Sequence, residues 1–294
     1  SNQVDRKVVY SGGCLPYCVL KRYLKYFDTL LVIGREGNDK NREQVMGLSI
    51  ASGDGVDFEL FPSVSNIGSF LGLRQKVYMK IFDILSKSDG LIARLPSQLG
   101  GLSIIAAKKI GLPIAVELVG CVWDSLWNYG TIQGKLYAPY AYWKTRQLVA
   151  SSKNVTYVTK EFLQRRYPSD GFSVSFSDVE LLDYDESVLR ERIKKIAAKK
   201  KFVVGLIGAL TTKAKGLGVA IKAISFLKEV SNKLELRVLG SGDAVDWRRF
   251  ARKCGVVDKV CFDGVLPSGK HVMKWLDGLD IYIQPSFQEG LPRA

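Results

Sequence analysis

One histidine, five scattered cysteines and no long apolar run are the first features of this sequence. With His271 alone, a histidine-rich metal site or a Ser-His-Asp triad is hard to assemble. Cys14, Cys18, Cys121, Cys254 and Cys261 form no Cys-x-x-Cys pair and no Cys/His cluster. That pattern predicts buried, reduced thiols of a cytosolic protein rather than a disulfide framework or a zinc site. Charge-free stretches such as 60–73 are short and broken by Ser, Asn, Gly and Pro, well below the roughly 20 apolar residues that span a bilayer. No secretory signal is visible, and an opening on Ser1-Asn2 rather than Met reads as a trimmed start.

What is present is ordinary in bulk and unusual in charge. Hydrophobic residues make up 47% and charged residues 24% of 294 residues, which suits a globular chain of roughly two domains. The formal net charge of +14 points to anionic partners: nucleic acid, an acidic membrane surface or phosphorylated substrates. Two basic stretches stand out, one over 190–201 and one among the aromatics of 123–167, and a solvated helix face accounts for either as well.

Short apolar runs alternate with helical periodicity, which predicts an α/β protein with parallel sheets. Strands are expected at 7–10, 30–33, 90–94, 113–119 and 154–158, with helices over 102–110 and 160–167. The charged stretch 184–201 lacks a strand signal and reads as a helical connector. The domain division expected is therefore 1–184, a connector at 185–201, and 202–294. In the later part, strands are expected at 202–207, 234–239, 260–262 and 280–284, each followed by a loop rich in Gly, Ser or Pro. A parallel sheet wants a covering helix after its last strand, and two residues after Pro292 leave no room for one, so the second domain is expected to be incomplete.

Ligands of open α/β sheets lie in the loops at the carboxyl ends of the strands. Lys215-Gly216 precedes a helix, where unpaired N–H groups and the dipole favour phosphate and a lysine adds full charge. Gly240 and Gly242 allow close approach of the backbone to a ligand. Glu289, after the last strand, can accept hydrogen bonds from sugar hydroxyls.

The order of these loops carries more than any one of them. Gly208-x-Leu-(x)₄-Lys-Gly216, Leu236-x-Val-Leu-Gly-x-Gly242, Val260-x-Phe-x-Gly264 and Pro285-Ser-x-x-Glu-Gly290 together resemble the donor-binding domain of family 4 retaining glycosyltransferases. These have the GT-B fold of two Rossmann-like domains. Over the first half the resemblance is looser: Gly12-Gly13, Asp89-Gly-Leu-Ile-Ala-Arg94-Leu-Pro96, the step from Lys108 to Pro113, and Glu117-Leu-Val-Gly120.

The resemblance implies transfer of a sugar from a UDP- or GDP-sugar to a glycan or lipid-linked acceptor with retained configuration, in bacterial surface-polysaccharide synthesis such as capsule, O-antigen or exopolysaccharide. Lys215 would neutralise the donor diphosphate and Glu289 would hold the sugar hydroxyls. The N–H groups of Gly290 and Leu291 would meet the diphosphate, with Gly12 and Gly13 approaching from the other domain. Gly242 and Val265 would border the nucleobase; Arg94 and Gly120 are the acceptor-side candidates.

Three departures from the family pattern stand out. Ala209 occupies a place where the family often has Arg, and Val119 one where a histidine commonly precedes the glycine. The second glutamate of the Glu-(x)₇-Glu motif would fall three positions past Ala294, and weak donor binding is expected from a chain without it. Asp183-Tyr-Asp185 forms an Asp-x-Asp, but at the connector rather than after a sheet-centre strand, so no metal and no cofactor beyond the co-substrate are expected.

The cluster Trp123, Trp127, Tyr129, Tyr137, Tyr140, Tyr142 and Trp143 leaves three readings open: a buried aromatic core, a surface meeting lipid headgroups, or a nucleic-acid face. A different reaction on the same fold, an epimerase or a synthase, also stays open. The partners expected are a nucleotide-sugar, a glycan or lipid-linked acceptor and an anionic membrane surface rather than nucleic acid. The location expected is cytoplasmic, peripheral on the inner face of a bacterial membrane.

Overall fold

The computed structural model describes residues 8–11, 15–37, 48–62, 67–128, 131–177, 186–197, 199–227, 233–267 and 269–287. The chain divides into two compact units, Ser1–Asp83 with Leu266–Met273, and Ile84–Val265 with Lys274–Ala294.

In the first unit, β1 (Tyr10–Ser11) is followed by α1 (Tyr17–Leu20), β2 (Leu30–Arg35), β3 (Ser49–Ile50), β4 (Val56–Phe61) and the greater part of α2 (Ile67–Leu85). β2 and β4 run parallel, from Leu30 opposite Val56 to Arg35 opposite Phe61, while β1 and β3 form an antiparallel pair. Leu20, Ala51 and Val56 are buried at the centre, with Leu24, Val32 and Phe58 packed on them. Strand 30–33 of the sequence reading lies in β2. Of 7–10, only Tyr10 is in a strand, and Lys7 is outside the described residues.

The second unit holds two four-stranded parallel sheets. In the first, β5 (Leu91–Leu95), β6 (Ile114–Leu118), β7 (Asn154–Tyr157) and β8 (Phe172–Ser175) lie in chain order, joined by α3 (Gln98–Ile110), α4 (Val122–Asn128), α5 (Ile132–Ala150) and α6 (Phe162–Arg166). α3 starts where the Ser97 hydroxyl accepts the Gly100 N–H, and stops at Gly111, whose φ of 78° is a left-handed cap. Ile104, Val116, Leu118, Val149 and Leu163 are fully enclosed in the core of this sheet, each contributing roughly 1.5–3 kcal/mol by burial.

α7 (Glu186–Ala197) then leads to the second sheet. It comprises β9 (Phe202–Ile207), α8 (Leu217–Phe226), β10 (Leu234–Leu239), α9 (Val245–Lys253), β11 (Val260–Gly264) and β12 (Ile281–Tyr282), with α10 (Lys270–Asp277) between the last two strands and divided between the units at Met273. Its core is Leu206, Ile221, Leu236, Val238 and Ala251. Asp280 ties this sheet to the segment before it. Its side chain, 1% exposed, meets Lys199 Nζ at 2.7 Å and Arg192 at 3.8 Å, and accepts the Val203 N–H at 2.8 Å. Burial alone would raise this carboxyl, but the hydrogen bonds from Lys199 and Val203 and the charges of Lys199 and Arg192 hold it below its ordinary 3.8.

Candidate functional site

The second sheet has the spatial order β11-β10-β9-β12. The chain moves one way from β9 to β11 and then returns to the other side of β9, so the order reverses between β9 and β12. In open α/β sheets such a reversal leaves a crevice at the carboxyl ends of the strands. The loops after β9, β10 and β12 meet there.

Between the β9 and β10 loops the ladder continues past the strands. Gly208 N–H donates to the Leu239 carbonyl at 2.9 Å and Leu210 N–H to that of Ser241 at 2.7 Å. The backbones are so close that a Cβ on Gly240 would stand 2.0 Å from the Gly208 oxygen. Gly242, at φ 115°, lies against Leu210 and Thr211. The Trp247 indole donates to the Leu210 carbonyl at 2.8 Å and fixes the β9 loop from α9. Beyond β10, Gly240 N–H donates to the Gly264 carbonyl at 2.7 Å, beside the exposed Val265.

The β9 and β12 loops meet at the lysine. Phe287 N–H donates to the Ala214 carbonyl at 2.8 Å, and a Cβ on Gly216 would stand 1.8 Å from the Pro285 oxygen. Lys215 is thus held between two crossings, and its stem lies over Gly208, where a Cβ would be 2.7 Å from its Cβ and Cγ. Gly216, at φ 71°, caps α8 with no side-chain hydrogen bond. The N–H groups of Val219 and Ala220 donate back to the Gly216 carbonyl, so those of Leu217 and Gly218 lead the helix, where the positive end of its dipole favours an anion.

The structure therefore brings Lys215, Gly242 and Val265 to one end of one sheet. Glu289, Gly290 and Leu291, together with Gly12 and Gly13, lie outside the described residues; Glu289 follows two positions after Phe287, which is bonded beside Lys215. Sequence pattern gave no sign that Trp247 or the Pro285 carbonyl would fix this loop. Asp183 and Asp185 also lie outside the described residues. Among the described residues no group of three or more His, Cys, Asp and Glu is placed to hold a metal ion.

The strand ends of the first sheet differ. Arg94 on β5 and Glu117 on β6 are register partners and pair at 3.1 Å, with Glu117 buried. Gly120 lies two residues past β6, near Pro96, so the two acceptor-side candidates share one sheet end. Below them, the Tyr167 hydroxyl accepts the Val122 N–H at 3.2 Å and lies 3.3 Å from Cys121 Sγ. Arg166 holds both carboxylate oxygens of Asp124, at 2.9 and 2.7 Å. Burial pushes the Tyr167 hydroxyl far above the usual phenol range and the Cys121 thiol above its ordinary value. Both stay protonated near neutral pH, which suits a structural network and not a nucleophile.

One expectation needs correction, and one open reading is narrowed. Cys121 is buried, but Cys18 and Cys261 are exposed, although all four described cysteines are free. The aromatic cluster is split: Trp123 and Tyr142 pack on the core, whereas Trp127, Tyr140 and Trp143 face solvent.

Residues 201–294 match the family model described as glycosyl transferases group 1. The chain is 32% identical over 285 residues to Protein CapJ of Staphylococcus aureus, covering 97% of this chain and 70% of that relative. It is similar in fold to WaaG, a glycosyltransferase involved in lipopolysaccharide biosynthesis, with TM-score 0.55, 13% identity, and coverage of 89% of this chain and 75% of that one. A second similar structure is HepE of Anabaena in complex with UDP, with TM-score 0.53, 12% identity, and coverage of 88% and 74%. The architecture is that of two Rossmann-like domains, the GT-B fold, and no helix among the described residues is long and apolar enough to cross a membrane. From the loops of the second sheet and the relative that spans nearly the whole chain, it follows that this protein belongs to the group 1 glycosyltransferase family.

Proposed function

We propose that the protein transfers a hexose from a UDP- or GDP-sugar to a glycan or lipid-linked acceptor of a bacterial surface polysaccharide, with retained configuration and without a metal, as a family 4 enzyme. The observation that carries the reading is the meeting of the three strand-end loops around Lys215. Lys215 and the open N–H groups at the start of α8 face the place where a diphosphate leaves. Charge grows there as the glycosidic bond to the nucleotide breaks, so preorganised donors favour the transition state over the ground state. Glu289 would grip the sugar hydroxyls, the N–H groups of Gly290 and Leu291 would meet the diphosphate, and Gly12 and Gly13 would close from the first domain. Arg94 and Gly120 would face the acceptor.

Support for the donor class comes from relatives in fold: HepE was solved with UDP, and another with UDP-2-fluoro glucose. The reaction runs on the cytoplasmic side, where nucleotide sugars are made, with the protein peripheral on the membrane.

Thermal unfolding with UDP, GDP and their sugars tests the reading. At saturating nucleotide the unfolding temperature rises in proportion to RT ln(1 + [L]/Kd). No rise with any of them at millimolar concentration removes the donor assignment. Chelator added to the transfer assay leaves the rate unchanged, and a metal-dependent rate overturns the metal-free reading.

A further inference from the structure

β12 and the turn after it carry a polar row. Tyr282, Gln284 and Ser286 follow one another at two-residue spacing, the period of one face of an extended chain. Ile283, between the first two, packs on the core of the second sheet instead. Strands of a parallel sheet ordinarily read as apolar runs, so a glutamine at this place needs a reason.

The three side chains are joined end to end and partly buried. The Tyr282 hydroxyl donates to Gln284 Oε1, and Gln284 Nε2 donates to Ser286 Oγ at 2.7 Å. An amide oxygen only accepts and an amide NH₂ only donates, so the row has one direction, from the tyrosine toward the serine. Ser286 Oγ accepts from the glutamine, and its own proton therefore points away from that amide. Each bond in such a row polarises the next, which makes the last hydroxyl a stronger donor than a serine alone.

The row ends opposite Lys215. On one side of Ser286 in the chain, Phe287 N–H donates to the Ala214 carbonyl; on the other, the Pro285 oxygen lies against Gly216. Lys215 stands between the same two crossings on the β9 loop. Serine and lysine thus occupy facing positions of two loops that their backbones hold together, beside the positive end of α8. A hydroxyl aimed by its own relay, next to a cation and a helix start, is placed to donate to an anion.

We propose that Ser286 is a further donor-binding residue whose hydroxyl donates to the diphosphate beside Lys215, and that Gln284 and Tyr282 are positioning residues that aim it. This rests on the donor assignment above and adds three residues to it.

Calorimetric titration with UDP, and with GDP where UDP does not bind, tests it. Ser286→Ala should weaken binding about tenfold or more, the usual effect of losing one hydrogen bond to a charged group. Ser286→Thr keeps a hydroxyl and should bind nearly as the wild type does. Gln284→Met and Tyr282→Phe should each weaken binding about threefold, since they leave the hydroxyl in place and release only its direction. Effects through one relay share a route, whereas separate packing losses multiply. Tyr282→Phe made on Ser286→Ala should therefore add nothing. If Ser286→Ala does not fold, Tyr282→Phe made on Gln284→Met decides by the same rule. The proposal alone is overturned if the wild type binds nucleotide and Ser286→Ala binds it equally well, or if the deciding pair of effects multiplies. A wild-type protein that binds neither nucleotide overturns the donor assignment itself, and the proposal with it.

Discussion

The two four-stranded sheets of the second unit close their strand ends by different means. After β9 and β10 the closure is made of backbone: Gly240 and Gly216 let main chain touch main chain at distances that no Cβ would tolerate, and Gly208 makes room for the stem of Lys215. After β5 and β6 backbone contacts recur, with Val119 N–H on the Leu95 carbonyl and Gly100 against that of Arg94, but side chains add to them: Arg94 on Glu117, Arg166 on Asp124 and Tyr167 on Cys121 and Val122. Backbone closure fixes the positive end of α8 while adding little side-chain bulk to the space a ligand needs. Side-chain closure fills its own space and satisfies its own polar groups. A sheet end built the first way is suited to receive an anion; one built the second way is suited to hold its shape.

Matched glycine substitutions should break this comparison most sharply. Gly240→Ala drives a Cβ to 2.0 Å from the Gly208 oxygen, an atom of backbone that cannot step aside. A loss of about 4 kcal/mol or more is expected, or failure of the second sheet to fold. The counterpart after β6, Gly120→Ala, meets nothing nearer than Pro96 Cδ at 4.0 Å and should change stability by less than about 1 kcal/mol. Denaturant unfolding of the two variants checks both values, and equal losses would mean that the two closures do not differ as described.

The next effect is on activity without stability. Lys215→Ala should lower the transfer rate by about 100-fold or more, the cost of one preorganised donor to developing charge, and leave the denaturation midpoint almost unchanged. A steady-state assay beside an unfolding curve separates the two, and a large stability loss with unchanged turnover would make Lys215 structural.

Tyr167→Phe reverses that pattern. It removes one buried hydroxyl that serves both Cys121 and Val122. The expected cost is about 1–2 kcal/mol of stability, through the orphaned Val122 N–H, with donor binding unaffected.

Smallest is the acid dependence of the Asp280 latch. Its folded carboxyl titrates below 3.8, so between the two values the unfolded chain binds the extra proton and stability falls as pH falls. The contribution is whole above 3.8 and is lost as pH drops through the depressed folded value. Asp280→Asn should cost on the order of 1 kcal/mol near neutral pH, because Lys199 and Arg192 are partly solvated. The gap from wild type should close toward low pH in urea melts at stepped pH.

How much of this was legible in the sequence follows from the same contrast. Strands at 90–94, 113–119, 154–158, 202–207 and 234–239 all fall on strands, because runs buried on both faces of a parallel sheet are continuous and apolar. The run 280–284 shortens to Ile281–Tyr282 in β12. β8, the edge strand Phe172–Ser175, is exposed at every position and carries no such run, so periodicity passes over it. α5 was hidden for the opposite reason: two apolar sides blur the helical period.

The sequence by itself determined the alternating α/β order, the glycine and lysine positions of the later loops, and the excess of positive charge, since each depends on residue type at short range. Only the tertiary structure decided that Lys215 lies between the crossings at Ala214 and Gly216, that Trp247 of α9 fixes the loop at Leu210, and that Trp127, Tyr140 and Trp143 face out. These are contacts between residues tens of positions apart, set by which strand pairs with which, and local pattern carries no record of that choice.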